Sequence, residues 1–299
     1  MSRSSAFLPE VIDAAMNRAC RSVGLDPAGA ALLRLGENML YRLATAPVVV
    51  RIGRDMNHWE DACKEVAVAS WLASQDFPAA RIYDIGTEQP LAMDGHPVTF
   101  WRFLPGRPAN IDEAGVLGAL LRRLHHLEQP EIELPPVRAF NHVPARLDAA
   151  PIPCSDKDLL RGRVSELEQE LAFMDFRLPA RAIHGDAHVK NIMIADDGAA
   201  TLIDLEAFAW GPAEWDLAKT AAEATMGMIG EHDYVAFAEA YGHDITTWAS
   251  WPTLQGIQQV KMVSWLAQNV DHSPGIQAEY AKRIDTIRTG VLTKSWQGF

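Results

Sequence analysis

The sequence predicts an α+β protein with a β-rich N-terminal lobe and a mainly helical C-terminal lobe. Two observations lead to this prediction. The N-terminal third alternates short apolar runs with tight turns, which is typical of an antiparallel sheet. The remainder consists largely of long segments with helical periodicity. The pattern changes at Leu104-Pro105-Gly106, so we place the first lobe at residues 1–103 and the second at residues 104–299.

The first lobe is expected to be a sheet of about five strands interrupted by a helix. Helices are predicted over 9–23 and 59–74, and strands over 32–36, 38–44, 47–53, 81–86 and 96–104. The second lobe is expected to be helical over 111–127, over 155–174 and through most of the chain after Glu214. A proline-rich stretch over 130–153 is predicted to be irregular, and residues 182–204 read as loops and strands.

Composition excludes several classes of function. The chain has 27 basic and 39 acidic residues, a net charge of −12, with most of the acidic excess in the C-terminal two thirds. Nonspecific nucleic-acid binding and docking on anionic lipid both need basic surface, so neither is expected. Three widely spaced cysteines form no disulfide framework or zinc motif. The N-terminus lacks the apolar run of a signal peptide, and no segment has the ~20 apolar residues that span a bilayer. We predict a cytoplasmic protein without a membrane partner.

The segment from His184 to Asn191 carries the strongest chemical signal. It reads His-Gly-Asp-Ala-His-Val-Lys-Asn, with four residues between Asp186 and Asn191. This spacing matches the kinase catalytic-loop pattern H-R-D-x-x-x-x-N, with glycine in place of arginine. An aspartate in this position orients an attacking hydroxyl and accepts its proton, and the asparagine amide oxygen ligates Mg²⁺. The pattern predicts Asp186 as the catalytic residue and Asn191 as a metal ligand.

A second metal ligand is expected at Asp204. The four residues before it, Ala-Thr-Leu-Ile, suit a strand and deliver the carboxylate at the strand's end, where kinases carry the D-F-G aspartate. Hard cations such as Mg²⁺ take oxygen ligands. The separation from Asn191 allows a hairpin, which would bring the two side chains together.

These motifs in this order resemble the aminoglycoside phosphotransferase family. The resemblance rests on His184-Gly-Asp186 through Asn191, then Ile203-Asp204-x-Glu206, and then Gly211 and Asp216-Leu-Ala. It implies a protein-kinase-like two-lobed fold and transfer of phosphate from ATP or GTP to a hydroxyl group. It also implies that Asp216 braces the catalytic loop and does not itself react.

The first lobe matches kinases more loosely. Val48-Val-Val-Arg51 resembles the strand that carries the phosphate-binding lysine, with an arginine that grips phosphate oxygens bidentately, and Glu65 is placed to pair with it. The glycine loop has one glycine, Gly36, and the backbone amides from Gly36 to Asn38 are candidates to cover the phosphates.

The acceptor class is the least determined feature of the sequence. Aromatic residues near the lobe junction could sandwich a purine, although core packing explains them equally well; they are Phe100, Trp101 and Phe103. The leading expectation is a small hydroxylated acceptor bearing an amine, with antibiotic resistance as one purpose. Acidic residues after the metal site would hold the amine; the candidates are Glu206, Glu223, Glu231, Asp233 and Asp271. The alternatives are a kinase acting on Ser or Thr of a precursor peptide, and a noncatalytic nucleotide-binding pseudokinase.

Overall fold

The computed structural model describes residues 9–36 and 38–298, and the chain divides into two compact units. The first unit comprises the described residues up to Ala109, with Pro130–Leu134 and Asn191–Phe208. The second comprises Asn110–Gln129, Pro135–Lys190 and the described residues from Ala209 onward. Residues 1–8, on which the expected absence of a signal peptide rests, lie outside the described residues.

The segment Asn191–Phe208 belongs to the first unit, whereas the sequence predicts a single boundary after residue 103. Backbone hydrogen bonds account for the difference. The Ala109 amide donates to the Ile192 carbonyl at 2.9 Å, and the Ala80 amide donates to the Leu202 carbonyl at 2.8 Å. These bonds tie the segment to the backbone of the first unit.

The first unit is built on a five-stranded antiparallel sheet. In chain order it contains α1 (Pro9–Ser22), β1 (Ala31–Leu35), β2 (Asn38–Arg42), β3 (Val48–Gly53), α2 (Trp59–Ser74), β4 (Leu91–Met93), β5 (His96–Arg102), β6 (Arg107–Pro108), β8 (Ile192–Ile194) and β9 (Ala200–Leu202). The large sheet has the order β1-β2-β3-β5-β4, and a small sheet has the order β6-β8-β9. One face of the large sheet is buried with α1, because Val50, Ile52 and Phe100 are fully buried in the same apolar cluster as Ile12 and Met16.

The fifth strand of the sheet is not the predicted one. Residues 81–86 form only an isolated bridge, between Ile82 and Trp101. The strand is instead β4, joined to β5 by a two-residue turn of Asp94 and Gly95, both with positive φ. Asp-Gly is a common sequence for the type I′ turn, whose backbone twist matches that of a hairpin. The Asp-Gly pair was therefore the signal for this hairpin.

The second unit is mainly helical. In chain order it contains α3 (Ala114–Leu124), α4 (Val143–Ala149), α5 (Cys154–Ala172), β7 (Ala180–Ile183), β10 (Ala209–Pro212), α6 (Glu214–Thr225), α7 (Glu231–Tyr241), α8 (Trp251–Ala267) and α9 (Pro274–Thr289). The predicted α+β class is thereby confirmed. The proline-rich stretch 130–153 is not wholly irregular, because Pro144 lies in the first turn of α4, where a missing N–H costs nothing. No helix among residues 9–36 and 38–298 is long and apolar enough to cross a bilayer.

Replacing Gly118 by alanine is expected to destabilise the second unit. A Cβ at this position in α3 would lie 2.3 Å from the backbone oxygen of Phe237 in α7. Overpacking of this kind costs ~1–3 kcal/mol. The matched control is Gly162→Ala in α5, where a Cβ meets nothing within 4 Å and should stabilise the helix by up to ~1 kcal/mol. Thermal unfolding of both variants checks this, and equal melting temperatures would contradict the α3–α7 contact.

Candidate active site

The loop that carries Asp186 is fixed by a buried carboxylate. Asp216, near the start of α6, is 1% exposed. One of its oxygens accepts the His184 amide at 2.7 Å, and the other accepts the Gly185 amide at 2.8 Å. Gly185 has a φ of +82°, which a glycine adopts without strain. The bracing role implied for Asp216 by the family resemblance is therefore confirmed.

A histidine from α3 supports the same carboxylate. His125 is buried, and its Nε2 lies 3.0 Å from Asp216 Oδ2. Its Nδ1 lies 2.9 Å from the hydroxyl of Tyr241 at the end of α7. Because a carboxylate only accepts, Nε2 carries the proton and donates, and the tyrosine hydroxyl donates to Nδ1. Three helices thus hold the loop that carries Asp186 through one aspartate.

The Asp186 side chain is 45% exposed and bonded to Lys219 of α6, whose Nζ donates to Asp186 Oδ1 at 2.7 Å. Partial burial alone would raise the pKa of Asp186, but the ammonium of Lys219 outweighs it and holds this pKa well below its usual range. Burial and the same ammonium lower the pKa of His188 to about 3, so His188 is neutral at pH 7. Asp186 is consequently an anionic hydrogen-bond acceptor at every pH at which the protein would be assayed.

The two predicted metal ligands lie at the same end of one hairpin. β8 and β9 are antiparallel with Ile192 opposite Leu202, and the Ile203 amide donates to the Asn191 carbonyl at 2.9 Å. Asn191 directly precedes Ile192, and Asp204 lies two residues beyond Leu202, so both lie at the same end of the hairpin, as the sequence predicts. Asp204 has a φ of +64°, a left-handed conformation that is uncommon for non-glycine residues and is found repeatedly at functional sites as well as in turns.

This end of the hairpin suits a hard divalent cation. The donors are the carboxylate of Asp204 and the amide oxygen of Asn191, the oxygen ligands that Mg²⁺ prefers. No group of three or more His, Cys, Asp or Glu side chains suited to a metal occurs among the described residues, which disfavours a zinc-type centre. Any cation here would rely on these two side chains and on oxygens supplied by a bound molecule.

Arg51 joins two carboxylates within the first unit. Its guanidinium forms ion pairs with Glu65 of α2 and with Glu206, in the turn that follows Asp204. The predicted Arg51–Glu65 pair is therefore present. Burial raises the pKa of Glu65, Arg51 opposes the rise, and the carboxylates of Glu206 and Asp204 add to it. The arginine charge is what allows these acidic groups to lie together.

Replacing Arg51 by methionine is expected to destabilise the protein by about 2 kcal/mol. The Glu65 side chain is 5% exposed and would lose its partner, whereas that of Glu206 is 38% exposed and partly hydrated. The expected loss is accordingly below the ~3–5 kcal/mol of a fully buried pair. Arg51→Lys should lose less, because a point charge remains.

The control for Arg51 is Arg161→Met, which removes exposed pairs with Asp148 and Asp158. Such pairs contribute within ~1 kcal/mol. Thermal unfolding should separate the two methionine variants. Equal shifts would contradict a structural role for Arg51.

The other residues predicted for the nucleotide have mixed surroundings. Phe100 and Trp101 are buried, and Phe100 belongs to the sheet core, which favours the packing interpretation for both. Phe103 is half-buried, with the Arg42 guanidinium 3.9 Å above its ring. The Gly36 amide donates to the Asn38 carbonyl at 3.1 Å, so this amide is already engaged, and Glu37 between them lies outside the described residues.

The acidic residues predicted to hold an amine do not form one group. Glu206 pairs with Arg51 and accepts from the Asn38 amide nitrogen at 3.3 Å. Glu223, on the same helix as Lys219, lies close enough to Asp186 for their charges to interact, and burial raises its pKa. The other three lie elsewhere in the second unit: Glu231 and Asp233 begin α7, and Asp271 is exposed between α8 and α9.

Sequence reasoning missed the cations around Asp186. Lys219 lies three residues after Asp216 in α6, hence on the same helical face, and this spacing was the available signal. Lys261 of α8 is near enough to lower the pKa of Asp186, and no motif marks it. His125 at the end of α3, which no motif marks, is buried against Asp216.

Three features of this chain are typical of enzymes with the protein-kinase-like fold. They are a β-rich unit with an Arg–Glu pair, a hairpin ending in Asn and Asp, and an H-G-D loop held by a buried carboxylate. The chain belongs to the phosphotransferase enzyme family, whose family model matches residues 35–256. The resemblance to aminoglycoside phosphotransferases is thereby confirmed. No curated protein matches the chain in sequence.

Solved structures share the fold at low identity. The amicoumacin kinase hAmiN has a TM-score of 0.74 at 16% identity, with 95% of this chain and 97% of that chain covered. The microcompartment-associated aminopropanol kinase has a TM-score of 0.69 at 15% identity, with 95% and 100% covered. The choline kinase LicA from Streptococcus pneumoniae has a TM-score of 0.63 at 14% identity, with 93% and 99% covered.

Proposed function

We propose that this protein is a small-molecule kinase that transfers the γ-phosphate of ATP or GTP to an acceptor hydroxyl, with Mg²⁺ as the cation. The observation that carries the proposal is the brace on the catalytic loop. A carboxylate 1% exposed accepts two consecutive loop amides, so the loop conformation that presents Asp186 is fixed. Asp186, Asn191 and Asp204 are all present, and a noncatalytic nucleotide-binding protein would not need all three, which disfavours the pseudokinase alternative.

In the proposed reaction the acceptor oxygen forms a bond to the γ-phosphorus, and the bond from that phosphorus to the β–γ bridging oxygen breaks. The nucleoside diphosphate leaves, and the hydroxyl proton passes to Asp186. Because the pKa of Asp186 is held low, the residue orients the hydroxyl and takes the proton late. Kinase transition states are loose and need little prior deprotonation of the acceptor.

Asn191 and Asp204 would hold the cation, which supplies charge neutralisation on the phosphates. Arg51 would bind phosphate oxygens, with Glu65 fixing its side chain. The solved structure of hAmiN is described as a complex with AMP-PNP and Ca²⁺, which supports a nucleotide and a divalent cation in this fold. A cytoplasmic location and a role in modifying an antibiotic remain part of this proposal.

The names of the structurally similar kinases favour a small-molecule acceptor over a peptide acceptor. Their names give amicoumacin, aminopropanol and choline as the molecules they phosphorylate. Release of ADP or GDP from the purified protein, with and without Mg²⁺, tests the kinase proposal on a panel of hydroxy compounds and Ser-containing peptides. Turnover of peptides alone would favour the peptide kinase, and an absence of Mg²⁺-dependent nucleotide binding would contradict the kinase assignment.

Replacing Asp204 by alanine is expected to abolish Mg²⁺-dependent nucleotide binding, because the change deletes the anionic ligand. Asn191→Ala should weaken binding less, since an amide is a neutral ligand. The matched control is Asp196→Ala, which removes an exposed carboxylate from the β8–β9 turn at the other end of the hairpin. Calorimetry with and without Mg²⁺ measures all three. Equal affinity in the wild type and Asp204→Ala would show that the metal site lies elsewhere.

A further inference from the structure

Two lysine side chains lie around Asp186. Lys219 of α6 is bonded to Asp186 at 2.7 Å, and Lys261 of α8 lies near enough for the two charges to interact. His188 is neutral at pH 7, because its pKa is about 3. Two further acids belong to the group: Asp216, which holds the loop, and Glu223, whose pKa is raised by burial. Lys219 and Lys261 thus place two ammonium groups beside Asp186, although the chain as a whole has a charge of −12.

Lys261 is a partly buried lysine to which the described residues give no hydrogen-bond acceptor. Its Nζ lies 5.4 Å from the centre of the Trp215 ring, and the described residues provide no hydrogen bond or ion pair to it. Burial lowers the pKa of Lys261 to about 8, with Asp186 opposing and Lys219 and Arg146 adding to the fall. A partly buried ammonium without an acceptor loses hydration that an anionic ligand would replace.

From this arrangement we infer that the acceptor of the proposed kinase carries a carboxylate a few bonds from its reacting hydroxyl, and that Lys261 with Lys219 binds that carboxylate. The inference rests on the proposed function. Lys219 has three N–H donors, of which the bond to Asp186 uses one. The hydroxyl then reaches Asp186 while the carboxylate contacts the flanking ammonium groups. The Lys261 ammonium, for which the described residues supply no acceptor, thus favours a hydroxy acid over the amine-bearing acceptor that the sequence suggested.

The experiment compares matched acceptors that differ in one group. In each set a common hydroxylated scaffold carries a carboxylate, an ammoniomethyl or a hydroxymethyl group at the same place. The smallest set is 3-hydroxypropanoate, 3-aminopropan-1-ol and propane-1,3-diol, and larger sets use hydroxylated rings. We expect the carboxylate member of at least one set to be phosphorylated with a kcat/KM at least tenfold above its partners.

Preference for the ammonium or neutral members, or no turnover of any carboxylate member, would overturn the inference. Turnover of ammonium members would still support the kinase. An absence of both turnover and Mg²⁺-dependent nucleotide binding would count against the proposed function itself. The two failures are therefore distinguishable.

Variants of Lys261 give a second, independent readout. Lys261→Met should raise the KM of the carboxylate acceptor at least tenfold and leave the KM of ATP within about twofold, whereas Lys261→Arg should keep most of the affinity. The control is Lys157→Met in α5, whose ammonium donates to the Asp148 carbonyl. A rise in the KM of ATP without a rise for the acceptor would assign Lys261 to the nucleotide and overturn the inference.

The pH profile covers the case in which Lys261→Met fails to fold. The groups facing Lys261 are Asp186 from the loop, Lys219 and Asp216 from α6, and Arg146 from α4. The pKa of Lys261 is about 8, so wild-type kcat/KM for a carboxylate acceptor should fall above pH 8 relative to its neutral partner. Lys261→Arg should remove that fall. Parallel profiles for the two acceptors would overturn the inference.

Discussion

Replacing Asp186 by asparagine is expected to lower kcat by at least ~100-fold while nucleotide affinity and folding stay nearly unchanged. The amide keeps the shape of the side chain but cannot take the hydroxyl proton, and general-base contributions are typically ~10²–10⁴-fold. Stability should change little, because the ion pair with Lys219 is partly exposed, at 22% for the lysine and 45% for the aspartate. Single-turnover kinetics and nucleotide calorimetry measure the two properties separately.

Two further results bear on the role of Asp186. Because its pKa is held well below the usual range, activity should show no loss from protonation of Asp186 down to mildly acid pH. Asp197→Asn, an exposed change in the β8–β9 turn, is the control and should leave kcat unchanged. An Asp186→Asn protein that keeps more than about a tenth of the wild-type kcat would contradict the assignment.

The sequence predicts those parts of the candidate site whose residues lie close together along the chain. Asp186 and Asn191 share one loop with a fixed spacing, and Asn191 and Asp204 are brought together by a hairpin of adjacent strands. Arg51 and Glu65 lie on consecutive elements of one unit. In each case the distance along the chain is short enough for the pattern of strands and turns to determine which residues meet.

The cations around Asp186 depend on tertiary packing instead. Lys261 approaches the loop only because α8 packs on α6, a contact that no local pattern encodes. The expectation of an acidic substrate site came from the total charge of the C-terminal region. Total charge describes the solvent-facing surface as a whole and carries no information about a few side chains beside one loop. The local charge could be known only once the helices were placed.

Replacing Asp216 is expected to destabilise the second unit more than any other change considered. Asp216→Ala would leave the buried amides of His184 and Gly185 without acceptors, and His125 Nε2 would lose its partner as well. Loss of one member of a buried, charged network costs about 3–5 kcal/mol. The melting temperature should therefore fall by several degrees, and kcat should fall with it, because the loop that presents Asp186 loses its fixed conformation.

Replacing Asp216 by asparagine removes the negative charge of the side chain and nearly keeps its shape. An asparagine side chain has one oxygen, which could still accept from His184 and His125, but its NH₂ group would then face the Gly185 amide, another donor. The loss of stability should be intermediate between the wild type and alanine. Asp186→Asn, by contrast, should lose activity without losing stability, so the pair distinguishes the residue that reacts from the residue that positions the loop. An Asp216→Asn protein with wild-type melting temperature and wild-type kcat would show that the loop keeps its conformation without the Asp216 carboxylate. The observation on which the kinase proposal rests would then no longer support that proposal.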